Sequence, residues 1–252
     1  MKNGYKRDIV AHIPHHITWL HKQHKSREFY STKINHQNKA LFEIKMKKII
    51  DIENWNRKDH FNFYSKFSEP FFGVTAKVGC TNAYSNAKKK QVSYFLYYLY
   101  RALKTANDID NFKYRIIDNQ AYEFETINAS PTINRPNGTF GFAYINYFED
   151  ENIFYKEALK EIKKTQNTDA FSPAVSGENV IHFSAIPWID FTSISHARNF
   201  PYPDSCPKIS FGKMTENNGT KSMPISIHGH HALMDGYHIG QFIDKFQILM
   251  NE

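Results

Sequence analysis

Two rhythms of apolar and polar residues alternate along the chain. Some runs repeat every second residue, as strands do; others repeat every third and fourth, as helices do. Phe72-Gly-Val74-Thr-Ala76-Lys-Val78 alternates and predicts a strand, with Thr81 placed to N-cap the next element. Over residues 91–107, Val92, Phe95, Leu96, Leu99, Ala102 and Leu103 share one face of a helix that would cover a sheet. The tyrosines between them read as core and rim. Residues 112–117 and 120–126, joined by Asp118-Asn119, predict a β-hairpin. A strand over 139–147, an amphipathic helix over 154–164 and a strand from Val180 that Pro187 ends come next. Residues 208–214 and 222–230 flank Asn217-Asn-Gly219 as a last hairpin, and residues 51–64 read as a strand end and a short aromatic helix with Arg57 early in it. Without strict βαβ repetition, the pattern predicts an α+β fold with a mixed, largely antiparallel sheet packed by helices.

One stretch carries both rhythms. From Pro224 to His231 the period is two, and after Asp235-Gly236 it is near 3.6, which predicts a strand, a tight turn and a helix. A histidine at such a junction is held by a rigid sheet yet open to a substrate, so His231 is a candidate general base. Asp235, four residues on, is placed to orient a neighbour or hold a buried arginine, and Gly236 to permit the turn. His230 and His231 point to opposite faces of a strand and cannot share one ion without a bulge. No further Cys/His/Glu cluster in the sequence completes a zinc site, so no metal is predicted. Ser184 sits mid-strand in an apolar run, where a hydroxyl either bonds a carbonyl or faces a cavity. No Gly-x-Ser-x-Gly elbow is present.

Composition narrows the partners. The 252 residues suffice for one core, or a core plus an extension. The net charge of +7 is concentrated in residues 1–45, which hold nine Lys/Arg against three Asp/Glu and six of the 13 histidines. The rest is nearly neutral, so no nucleic-acid face is predicted. Residues 1–45 are expected to be a basic, His-rich leader, disordered or read from codons upstream of a start at Met46, and residues 46–252 to be a single domain. Cys80 and Cys206 lack Cys-x-x-Cys spacing, which argues against a disulfide framework and for the cytoplasm. No apolar run is long enough to span a bilayer, and no membrane partner is predicted.

The motifs also combine. His230-His231-x-x-x-Asp235-Gly236 resembles the signature of the CoA-dependent acyltransferase superfamily. With Asn54-Trp55-x-Arg57-x-x-His60-Phe61-x-Phe63-Tyr64 and Ser184-Ala185-Ile186-Pro187-Trp188-Ile189-x-Phe191 before it, the chain from about Met46 to Leu249 resembles the trimeric chloramphenicol acetyltransferases. The resemblance implies acetyl-CoA as cosubstrate and O-acetylation of chloramphenicol or a similar antibiotic, in a homotrimer with active sites between subunits. Transfer to a different small acceptor, or a catalytically silent binding homologue, are the alternatives. It also implies roles: His231 as the base, Asp235 and Arg57 as the ion pair that fixes its loop, Ser184 as donor to the oxyanion. Ser210 stands where the family has a threonine that holds an ordered water. Phe63, Tyr64, Phe72, Phe140 and Phe171 match positions lining the acceptor pocket. The chain departs from the family pattern at Thr192-Ser-Ile-Ser-His196-Ala-Arg198-Asn, which is less apolar and one residue shorter, at His182 in place of an asparagine, and at Pro131 near a pocket threonine.

Overall fold

The computed structural model describes residues 47–168, 177–199 and 204–252; the leader over 1–45 and Phe171 lie outside them. Strand β1 (Lys47–Ile49) leads into a single 3-10 turn, Ile52–Asn54, capped by the Asp51 carboxylate. Helix α1 (Lys58–Tyr64) follows directly on Arg57, and β2 (Phe71–Gly79) comes next. The helix expected from residue 91 is in fact the second of two, α2 (Thr81–Lys89) and α3 (Tyr94–Asn107). Gln91 separates them in the left-handed region at φ 55°, a conformation that no helix continues through. Thr81 is the first residue of α2 rather than its cap: its hydroxyl accepts from the Lys221 N–H at 2.8 Å.

A short helix α4 (Asp110–Lys113) precedes the hairpin of β3 (Tyr114–Ile117) and β4 (Gln120–Phe124). Its two-residue turn has positive φ at both Asp118 (50°) and Asn119 (61°), the geometry that matches strand twist and that Asp and Asn tolerate. Strand β5 (Asn128–Asn134) was hidden from pattern reading by Pro131 and by the polar Asn128 and Ser130 on its buried run. The strand expected over 139–147 shrinks to β6 (Phe140–Phe142) and one bridge, Ala129 to Ile145. Helix α5 (Glu151–Gln166) starts at Asp150, whose carboxylate accepts from Asn152 and Ile153 N–H groups. Then come β7 (Val180–Ala185), β8 (Lys208–Phe211), β9 (Thr215–Asn217), β10 (Thr220–His230) and α6 (Gly236–Asn251).

Strands β1, β4 and β3 form a small antiparallel sheet. The large sheet runs β2-β10-β8-β7-β5-β6, with β9 on β10; β5 to β7 and β7 to β8 are parallel, the rest antiparallel. One face of the large sheet is apolar: Phe183, Ile209, Phe211, Ile225 and Ile227 are buried with Leu96, Leu99 and Leu103 of α3 and Phe242 and Phe246 of α6. Burying each such side chain is worth about 1.5–3 kcal/mol. The other face is polar. Ser184, Ser210, Ser226 and Thr75 pair in register across β7, β8, β10 and β2 and so share that face, with His182, Lys208 and His228 one row away. Among the described residues no helix is long and apolar enough to cross a membrane.

Arg115 of β3 joins the two sheets. Its fully buried guanidinium donates to the carbonyls of Phe112 (2.9 Å), Tyr114 (2.6 Å), Glu178 (2.8 Å) and Val180 (2.6 Å), the last at the start of β7 and Glu178 two residues before it. An apolar replacement strands several buried carbonyls at about 1–3 kcal/mol each. Thermal unfolding of Arg115→Leu is therefore expected roughly 6–12 °C below wild type. A melting curve within 2 °C of wild type, on the order of 1 kcal/mol or less, would contradict this role.

Candidate active site

His231 stands one residue beyond β10. Its N–H donates to the Pro70 carbonyl (2.9 Å), which keeps the turn against the start of β2. Tyr64, the last residue of α1, stacks on the imidazole with 4.1 Å between ring centres and 5° between planes. Phe72 of β2 closes the second side at 4.5 Å. The ring is thus clamped in an aromatic slot. Its Nδ1 is buried and makes no hydrogen bond, so Nε2 is the nitrogen left to meet a ligand. Phe63 and Phe67 extend the slot as an exposed aromatic patch, 59% and 45% accessible. His230 points away as expected: it meets Phe71 edge-on, and its Nδ1 accepts from the Ala232 N–H at 3.2 Å.

The turn is pinned from α1. Arg57 donates through Nη1 to the Asp235 carboxylate (2.9 Å) and through Nη2 to the His231 carbonyl (3.1 Å). Asp235 is also the N-cap of α6, accepting from the Tyr237 N–H, while His238 Nδ1 accepts from the Asp235 N–H. Burial alone would raise the Asp235 carboxyl, but the Arg57 hydrogen bond and nearby His238 outweigh it and hold it below the ordinary carboxylate value. The turn does not need Gly236 for its conformation. Its φ lies outside the left-handed region, and a Cβ there would meet nothing within 4 Å.

Ser184 lies elsewhere. It opens on a cavity of about 860 Å³ whose walls include Phe140, Tyr94, Tyr98, Trp188 and Lys213. Ser210, in register beside it, is fully buried, with Oγ 3.4 Å from His196 Nε2. His231 follows the end of β10, whereas Ser184 is two strands over from Ser226, so roughly 15–20 Å separates them at ~3.4 Å per residue and ~4.8 Å per strand. A single chain therefore gathers His231, Arg57, Asp235, Phe63, Tyr64 and Phe72 in one group and Ser184 and Phe140 in another, well apart from it. Sequence reading missed Trp188 and Lys213 as cavity walls, although Trp188 lies inside a quoted motif and Lys213 three residues after Ser210. His196 gave no periodic signal, because it sits in an irregular segment.

A further cluster corrects the expectation that none exists. Donor atoms of His182, Asp204 and Cys206 lie within 4.8 Å of one another, brought together by the parallel pairing of β7 and β8. Lys208 already donates to the Asp204 carboxylate and to the Cys206 carbonyl, and burial pushes the Cys206 thiol up to about 11. A cation thus occupies the acidic partner, and the group reads as a buried ion pair.

Five histidines are held neutral. Burial pushes His182, His196 and His230 down to about 4, assisted by Lys208 for the first, His228 for the second and Arg198 for the third; His228 and His238 are lowered too, again mainly by burial. In the unfolded chain each titrates near 6.5. Between these values the unfolded state binds more protons, so their stabilising effect is present above pH 6.5 and is lost as pH falls toward 4. The melting temperature is expected to drop by roughly 5 °C or more from pH 6.5 to 4.5. A flat or rising profile in that window contradicts the assignment.

The fold is that of the CoA-dependent acyltransferases. The solved dihydrolipoamide acetyltransferase of Azotobacter vinelandii shares it over 77% of this chain and 86% of that one, with a TM-score of 0.58 at 15% identity. A solved chloramphenicol acetyltransferase aligns over 81% of this chain and all of its own, with a TM-score of 0.75 and 34% identity. The chloramphenicol acetyltransferase of Bacillus pumilus is 27% identical over 200 residues, 79% of this chain and 91% of that protein. The profile of the chloramphenicol acetyltransferase family matches residues 46–247, and the chain belongs to that family. It is an acyltransferase, and acetyl-CoA is the family's cosubstrate.

Proposed function

We propose that residues 46–252 catalyse acetyl-CoA-dependent O-acetylation of chloramphenicol or a similar hydroxyl-bearing antibiotic, with His231 as general base. The observation that carries this reading is the immobilised His231 imidazole, its Nδ1 enclosed and its ring fixed by Tyr64 and Phe72. Nε2 takes the proton from the acceptor hydroxyl as the oxygen attacks the thioester carbonyl. The C–O bond forms, the carbonyl becomes an oxyanion, and the Ser184 hydroxyl donates to it. Collapse breaks the C–S bond, and the departing thiolate of CoA receives the proton from His231. Arg57 and Asp235 hold the turn and touch neither substrate. Phe63, Tyr64, Phe72 and Phe140 offer apolar surface for an aromatic acceptor. The free thiols of Cys80 and Cys206 fit a reducing compartment such as the cytosol.

The separation of the two half-sites within one chain supports a homotrimer in which His231 of one copy faces Ser184 of the next. The exposed aromatics on each side, Phe63 and Phe67 on one and Phe140 and Trp188 on the other, suit such a junction.

Thiol release from acetyl-CoA in the presence of chloramphenicol tests the activity directly. His231→Ala is expected to abolish it, and Ser184→Ala to lower kcat on the order of 10²-fold or more with little change in KM for acetyl-CoA. Release with other alcohols but none with chloramphenicol would move the acceptor to another small molecule. Co-assembly of the His231→Ala and Ser184→Ala chains tests the shared site. About a quarter of wild-type activity is expected to return, since each site then needs its histidine from one kind of chain and its serine from the other. No recovery in mixed oligomers would sink the shared-site reading.

Loss of the Arg57 anchor has its own signature. Arg57→Ala leaves the Asp235 carboxylate, about one-third exposed, without its partner, at a cost of about 1–3 kcal/mol. Activity is expected to fall through kcat, while Arg57→Lys restores charge but only one of the two bonds. Full activity in Arg57→Ala would show that the turn keeps its shape without it.

A further inference from the structure

We infer that His196 is a positioning residue for the transfer reaction, holding the Ser210 hydroxyl in place beside Ser184. The inference rests on the function proposed above and goes beyond it, because it assigns a role to a residue of the irregular segment between β7 and β8.

Ser210 and Ser184 pair in register on adjacent parallel strands, so their side chains leave the same face of the sheet as neighbours. Ser210 has no exposed surface. Its hydroxyl lies 3.4 Å from His196 Nε2, and His196 is itself only part-buried, so the imidazole covers the hydroxyl from outside. The segment over the sheet is held in turn by His228. That ring meets His196 edge-on at 4.8 Å and lies 3.2 Å from the Ser226 hydroxyl, which accepts from Thr75 at 3.1 Å. His228 can lie there because Gly73 faces it across β2; a Cβ at that position would sit 2.5 Å from the ring. A strand-borne histidine thus supports a loop-borne one, and the loop-borne one meets a strand serine.

A serine hydroxyl has one proton and rotates freely unless a partner fixes it. A neutral His196 that donates Nε2–H to Ser210 leaves the serine proton to be donated onward, toward the place where the Ser184 hydroxyl meets developing negative charge. Hydrogen bonds in such a chain strengthen one another in a poorly solvated site. The groups that face His196 are His228 on β10, Lys208 on β8 and His182 on β7. Burial of the ring is the first obstacle to a second proton, and these groups, all cationic or becoming so in acid, add to it. His196 therefore keeps its neutral, orienting form through the neutral pH range.

The test uses the full chain and the acetyl-transfer assay. His196→Ala is expected to lower kcat about 5- to 20-fold with KM for both substrates within about twofold, and His196→Asn, which keeps an N–H donor, to recover most of the loss. In a Ser210→Ala background the same His196→Ala change is expected to cost less than about twofold, the non-additivity of residues that act together. Unchanged kcat in His196→Ala, a fall in melting temperature alone, or equal losses in both backgrounds would overturn the inference. Imidazole NMR supplies a readout that does not depend on turnover: the His196 titration midpoint is expected to move on Ser210→Ala, and an unmoved midpoint overturns the contact. If the wild-type protein transfers acetyl to no alcohol, the parent function fails and the positioning role fails with it. That outcome is told apart by the silence of the wild type itself.

Discussion

Arg57 serves two acceptors with one guanidinium, and the arrangement around His231 depends on it. One arm holds the Asp235 side chain and the other the His231 backbone carbonyl, so the turn between β10 and α6 is fixed at both ends. The same residue begins α1, whose last residue, Tyr64, stacks on the imidazole. Because a helix of seven residues is stiff at this length, anchoring its start also sets where its end lies. A buried cation of this kind gains little net stability against its desolvation. Its value is geometric, as it makes the position of the ring depend on a helix far away in sequence.

The large sheet divides its faces by chemistry. One is packed by α3 and α6 with leucine, isoleucine and phenylalanine; the other carries hydroxyls, histidines and Lys208 in register. Such a polar face is costly to bury unless its groups find one another, and here they do so through Thr75 to Ser226, Ser226 to His228 and Ser210 to His196. His231 lies past the edge of this face and Ser184 within it. These two regions of the sheet are thus built by one chain but stand apart within it.

Elements with a clean period were legible in the sequence. The strand before His231, the helix after it, the Asp118-Asn119 hairpin and the strand ending before Pro187 stand close to where the pattern puts them. Two kinds of feature were not. Strand β5 carries a proline and polar residues on a buried run, so no alternation marks it, and Gln91 breaks a helix by adopting a backbone conformation that its side chain does not announce. The His182, Asp204, Cys206 and Lys208 cluster arises from strand pairing between segments some twenty residues apart, and Arg115 looks like a surface cation until the carbonyls around it are known. The motif residues fall into two separate groups in the fold, a division that is a property of sheet register and has no counterpart in a linear pattern.

The close approach of His228 to Gly73 ties two distant positions together in evolutionary terms. A methyl group at position 73 would collide with the imidazole, while a small residue at 228 would leave a groove across β2. Neither position is free to drift by itself. Among proteins that keep this strand pairing, a glycine at the first is expected to accompany an aromatic ring at the second, and a bulkier residue at the first a smaller partner at the second. The same reciprocity would extend to the segment above, since whatever replaces His228 must still support the loop that carries His196.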